Sequence, residues 1–131
     1  MSTRILIADD NSPVRSGLRH LLENQPNWEV CGEAVDGVDA VQKSRELNPD
    51  LIVLDFIMPR ANGLEAANEI TKTQPKVPIL LCSMYLSEPL LEQARRVGIR
   101  GAVSKTNVEE ILHGVEALLG RKEFFNGEAP S

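Results

Sequence analysis

Three carboxylates, a hydroxyl and an ammonium stand at the ends of apolar runs in this chain. Asp9-Asp10 follow Ile5-Leu6-Ile7-Ala8, Asp55 follows Leu51-Ile52-Val53-Leu54, Ser83 follows the run ending at Cys82, and Lys105 follows Gly101 to Ser104. Gathered carboxylates repel one another and call for a hard cation. Mg²⁺ suits them, because it takes oxygen ligands and keeps waters and phosphate oxygens in its shell. A carboxylate can also attack a phosphoryl group to give an acyl phosphate. Such a transfer asks a protein mainly for alignment and for positive charge around the equatorial oxygens. Mg²⁺ and Lys105 would supply that charge, and the Ser83 hydroxyl a hydrogen bond. Taken singly, each residue has a plainer role: a helix-entry acid, a turn residue, a strand-end hydroxyl, a surface lysine. The set carries the meaning, provided the fold brings it together.

The elements that must do this alternate along the chain. Ile5 to Ala8 and Leu51 to Leu54 are continuously apolar, the pattern of strands buried on both faces. Trp28 to Ala34 alternates, with Glu29 and Glu33 on the face opposite Trp28 and Val30, as expected of a half-exposed edge strand. Val77 to Cys82 and Gly101 to Ser104 read as a fourth and a weak fifth strand. Between them run helical patterns: one capped by Ser12 with Pro13 in its first turn, one opened by Asp36 or Gly37, one carrying Leu64, Ala67 and Ile70, one ended by Gly98, and one from Val108 to Gly120. Five strands alternating with five helices predict an α/β, largely parallel sheet. In such a sheet ligands bind beyond the carboxyl ends of the strands, where the acidic residues, Ser83 and Lys105 all lie.

Composition sets the outer bounds. The 131 residues are the length of one domain, 42% hydrophobic and 25% charged. A net charge of −5 argues against nucleic-acid binding by this domain itself. Late basic residues (Arg95, Arg96, Arg100, Lys105, Arg121, Lys122) read mostly as solvated helix and strand ends. Cys31 and Cys82 fit no metal spacing and read as buried free thiols, which suits a reducing, cytoplasmic setting. No apolar run is long enough to cross a bilayer, so no membrane partner is expected.

The segment Asp55-Phe56-Ile57-Met58-Pro59 followed by Gly63, with Asp9-Asp10, Ser83 and Lys105 on their respective elements, resembles the receiver domains of two-component response regulators. The resemblance covers about residues 3 to 120. The runs Glu33-Ala34-Val35-Asp36-Gly37 and Arg95 to Gly101, with Phe124-Phe125, are most similar to the NarL/FixJ type. It implies a flavodoxin-like, doubly wound, five-stranded parallel sheet of order 2-1-3-4-5 with five helices. Residues 1–120 would form the receiver domain and 121–131 a tail or the start of a linker.

The resemblance further implies that a sensor histidine kinase's phosphohistidine phosphorylates Asp55. Asp10 and Asp55 would bind Mg²⁺ directly, Asp9 would help through water, and the backbone carbonyl of Ile57 would be a further ligand. Ser83 and Lys105 would contact the phosphoryl group. The protein would be no enzyme toward outside substrates, catalysing only its own phosphorylation and dephosphorylation. The fourth helix, fifth strand and fifth helix would offer a phosphorylation-dependent face to a partner, an output domain or a second copy in a homodimer. Regulators of this type usually carry a C-terminal helix-turn-helix domain, so the chain is expected either to be part of a longer protein with a role in transcription regulation or to act alone. Two positions depart from the family: Ala102 stands where an aromatic residue is common, with Tyr85 a conceivable substitute, and Thr106 stands where proline often follows the lysine. A rival reading is a degenerate receiver, an interaction module that is never phosphorylated. A phosphatase using Asp9 is a minor alternative, since Asn11 occupies the place of its second acid.

Overall fold

The computed structural model describes residues 2–125. Its elements are β1 (Thr3–Ala8), α1 (Ser12–Glu23), β2 (Trp28–Ala34), α2 (Gly37–Leu47), β3 (Leu51–Leu54), α3 (Gly63–Thr73), β4 (Ile79–Ser83), α4 (Glu88–Arg96), β5 (Gly101–Ser104), α5 (Val108–Leu119) and β6 (Phe124–Phe125). All strand pairs are parallel, in the order β2-β1-β3-β4-β5-β6. The order of the first five strands is the expected one, with β2 at an edge.

The central strands are apolar on both faces because both faces are covered. Leu6, Ile52, Leu54, Ile79 and Leu81 enter a core with Ile70, Leu91 and Ala94 from α3 and α4. Ile5, Ile7, Leu51, Val53 and Leu80 enter a second core with Leu18 and Leu22 of α1 and Val115 and Leu118 of α5. Alternate residues of one strand thus feed opposite cores, and each fully buried Leu or Ile contributes roughly 1.5–3 kcal/mol.

Four details of the elements differ from the sequence reading. Asn11, not Ser12, caps α1, its side chain accepting from the Val14 amide at 2.9 Å. The fourth strand begins at Ile79 and not Val77, since Pro78 has no N–H to give to a ladder. A sixth strand exists: Phe124 and Phe125 pair with Gly101 and Ala102, so the segment expected as tail from residue 121 starts by extending the sheet. Its remainder, with Gly127 and Pro130, lies outside the described residues. Lastly, β2 is irregular: Ile5 is opposite Val30 but Leu6 is opposite Gly32. The extra residue, Cys31, reverses the facing of all that follow. Glu33 therefore lies on the same side as Val30, against α1, where Arg15 and Arg19 meet its carboxylate.

That pairing has a pH signature. The Arg19 hydrogen bond, with Arg15 beside it, holds the Glu33 carboxyl below the usual range, against the effect of burial. A lowered folded-state pKa contributes stability that is present above the unfolded value and is lost as pH falls through the folded one. Glu33→Gln is therefore expected to lose about 1 kcal/mol at pH 7. The gap to the parent should close toward pH 3, read from urea midpoints at both pH values.

The cysteines are both free. Cys82 is buried, which pushes its thiol up to about 12, whereas Cys31, expected to be buried, is only half-buried at the bulge. Among the late basic residues, Arg95 lies over the Phe125 ring at 4.1 Å and Arg96 pairs with Glu92 at 2.7 Å. No helix among the described residues is long and apolar enough to cross a membrane.

Candidate functional site

Four strand ends on one rim of the sheet position the chemistry. The β1 end delivers Asp9 and Asp10, β3 delivers Asp55, β4 ends on Ser83 and β5 leads into Lys105. Backbone bonds tie these ends together: Asp9 N donates to Ala34 O at 3.0 Å, Asp55 N to Ala8 O at 2.9 Å and Lys105 N to Ser83 O at 3.0 Å. A cleft of about 760 Å³ opens above them, lined by Asp10, Asp55, Ile57, Ser83, Tyr85 and Lys105 among others.

Within it, one carboxylate oxygen each from Asp9, Asp10 and Asp55 lies within 4.8 Å of the others. Asp9 and Asp55 are buried and Asp10 is exposed. The Lys105 ammonium sits 2.7 Å from Asp9 Oδ2 and 3.0 Å from Asp55 Oδ2. Beyond this ion pair, the buried Asp9 Oδ2 has no other partner among the described residues. Asp9 Oδ1 accepts from the Asn11 amide at 2.8 Å.

The electrostatics follow from burial. Burial pushes the Asp55 carboxyl above its usual range, Lys105 pulls it back and the charge of Asp9 pushes it up again. Burial works against the Lys105 ammonium, but Asp9 and Asp55 outweigh it and the pKa rises. Asp9 and Asp55 share a single ammonium and Asp10 adds a third carboxylate, which leaves an excess of negative charge. An all-oxygen donor set, with a buried oxygen left to a single ion pair, fits a hard, partly hydrated divalent cation such as Mg²⁺.

The loop that follows Asp55 is held by close backbone contact. Gly63 N donates to Phe56 O at 2.7 Å, and a Cβ on Gly63 would stand 2.2 Å from the Asp55 carbonyl oxygen. On the other side of the loop a Cβ on Gly37 would stand 2.0 Å from Ala61 O. Gly63→Ala is therefore expected to cost about 1–3 kcal/mol, as overpacking does. Because the displaced atom belongs to Asp55, the amides of residues 55–57 should also shift; urea unfolding and NMR read the two effects.

The structure thus brings Asp9, Asp10, Asp55, Ser83 and Lys105 to one place, with Ile57 on the loop beside them and its side chain 69% exposed. Tyr85 is 81% exposed at the cleft, whereas the ring in register with buried Ala102 is Phe125. Sequence reasoning missed the Asn11 main-chain amide as a partner of Asp9, a contact that the side chain at that position does not announce. It also missed Arg15, which donates to the Asp9 carbonyl at 2.7 Å and gave no local signal.

Comparison with known proteins agrees with this geometry. Residues 5–116 match the family described as the response regulator receiver domain. Chemotaxis protein CheY of Thermotoga maritima is 35% identical over 80% of the chain and 87% of its own length. Response regulator protein VraR of Staphylococcus saprophyticus is 29% identical over 98% of the chain, which spans only 62% of that protein. The crystal structure of a LuxR-family two-component response regulator from Aurantimonas superposes with a TM-score of 0.93 at 30% identity, covering 97% of this chain and 91% of that one.

Proposed function

The chain belongs to the response regulator receiver domain family, with relatives of the LuxR/NarL type, and from that premise we propose that Asp55 accepts a phosphoryl group from the phosphohistidine of a sensor histidine kinase. The single observation that carries this reading is the shared ammonium: Lys105 within 3.0 Å of both Asp9 and Asp55, at the rim of a cleft wide enough for an incoming imidazole.

A carboxylate oxygen of Asp55 attacks phosphorus, the P–N bond breaks, the new P–O bond makes the acyl phosphate, and the imidazole leaves with a proton from solvent. Asp10 and Asp55, with Asp9 behind them and the Ile57 carbonyl beside them, would hold Mg²⁺. When bound, the ion supplies the positive charge that the transferring oxygens need. Lys105 moves from a carboxylate pair to the new phosphoryl oxygens, and the Ser83 hydroxyl donates to one of them. This redistribution favours one arrangement of the loops after β4 and β5 and so changes the face built by α4, β5 and α5.

That face would act on a partner, a second copy or an output domain beyond residue 120, in the cytoplasm and in the service of transcription. Phe125 supports such a relay. It pairs with Ala102 and lies under Arg95 of α4, so the end of the described chain is packed on the helix that would move. The intact acidic set favours this over a receiver that is never phosphorylated.

The test is exposure of the chain to acetyl phosphate, read by intact-mass spectrometry. One added phosphoryl group is expected with Mg²⁺ and none in excess chelator. No addition under either condition would remove the proposal and leave the interaction-module reading.

A further inference from the structure

The bulge at Cys31 has a consequence at the other end of β2. By turning Glu33 toward α1, it lets one carboxylate oxygen take Arg15 Nε at 3.1 Å and the other take Arg19 Nη1 at 2.6 Å. Held in this way, with its side chain only 14% exposed, Arg15 donates Nη1 to the main-chain carbonyl of Asp9 at 2.7 Å. That carbonyl belongs to the peptide that joins Asp9 to Asp10. The amide of Asp9 is fixed by Ala34 O, and its carboxylate by the Asn11 amide. With Arg15 in place Asp9 is held at its amide, its carboxylate and its carbonyl, and the exposed Asp10 carboxylate follows the peptide fixed at that carbonyl.

We propose that Arg15 is a positioning residue for the divalent-cation site: gripped by Glu33, it holds the Asp9–Asp10 peptide so that both carboxylates stay gathered with Asp55. The inference rests on the cation reading given above. Its rival is a charge effect of opposite sign. A guanidinium close to three carboxylates repels a cation, so removing its charge alone would tighten binding. Losing its grip on the peptide would weaken it. Arg15→Lys separates the two, since it keeps the charge and gives up the planar fork that spans Glu33 and the carbonyl. Groups that orient metal ligands from behind are typically worth about 10–100-fold in metal affinity.

The test is titration of Mg²⁺ alone into the parent, Arg15→Lys, Arg15→Gln and Glu33→Gln. NMR shifts of the amides around residues 9–11 and 55–57 report binding, and thermal melting confirms folding. Arg15→Lys and Arg15→Gln are expected to bind about tenfold more weakly, with Glu33→Gln moving in the same direction. At saturating Mg²⁺ the acetyl phosphate rate of each should return to the parental value. Parental affinity in Arg15→Lys, tighter binding in Arg15→Gln, or a rate that stays low at saturation overturns the proposal. If the Arg15 variants do not fold, Glu33→Gln decides alone, parental affinity counting against it. A parent that gives no response to Mg²⁺ sinks the cation site and this inference together; a responsive parent with unchanged variants sinks only the inference.

Discussion

Asp55→Asn takes up no phosphoryl group from acetyl phosphate at any Mg²⁺ concentration, yet in chelator at neutral pH it is more stable than the parent. Loss of uptake follows because an amide is no nucleophile toward phosphorus, and no other carboxylate shares the place of Asp55. Asp9 is fixed by the Asn11 amide and Asp10 is exposed on the β1 loop. The gain in stability follows from burial. Burial, then the charge of Asp9, raise the Asp55 pKa against the pull of Lys105.

A raised folded-state pKa means that the group's contribution is fully present below the unfolded pKa and is lost as pH rises through the folded one. At neutral pH the ionised carboxylate is therefore a burden that the neutral amide lacks. Urea midpoints in chelator should favour Asn at pH 7 and converge with the parent's in acid. Equal labelling of variant and parent would end the assignment of Asp55. A variant less stable at pH 7 would show that Lys105 more than offsets the burial.

Much of the scaffold could be read from residue order because it rests on patterns that survive averaging. Fully apolar runs of four residues are buried on both faces, and β1, β3 and β4 are so buried. The site was legible for a related reason. Parallel topology sends every carboxyl end to one rim, so acids, serine and lysine at those ends must meet once the sheet order is right.

What escaped was what depends on a single residue or on distant partners. One extra residue at Cys31 leaves no trace in the alternation of β2, yet it reverses Glu33 and with it the Arg15 contact to Asp9. Asn11 and Ser12 are equally good caps, and the choice was made by the Val14 amide three residues on. Two phenylalanines are too short a run to announce a strand. β6 forms because Phe124 N reaches Arg100 O and because each ring finds a different core, Phe124 with α5 and Phe125 with α4.

Lys105→Met is expected to lose about 3 kcal/mol of stability in chelator, because removing one partner of a buried pair leaves uncompensated charge behind. Its side chain is 11% exposed, and its ammonium is the cation that stands between Asp9, 1% exposed, and Asp55, 7% exposed. Methionine fills a similar volume, so the loss reports charge and not a cavity. The remaining carboxylates can then be served only by a metal, and Mg²⁺ should restore a large part of the lost stability by binding the native state alone. The same ion stabilises the parent less, since there it competes with the ammonium for the carboxylates. Phosphoryl uptake should fall steeply even at saturating Mg²⁺, because the charge that Lys105 would bring to the transferring oxygens under the proposed transfer is not replaced. Urea unfolding of both proteins, with and without Mg²⁺, separates these effects. A variant as stable as the parent in chelator would mean that Asp9 and Asp55 do not share their charge with Lys105 in solution.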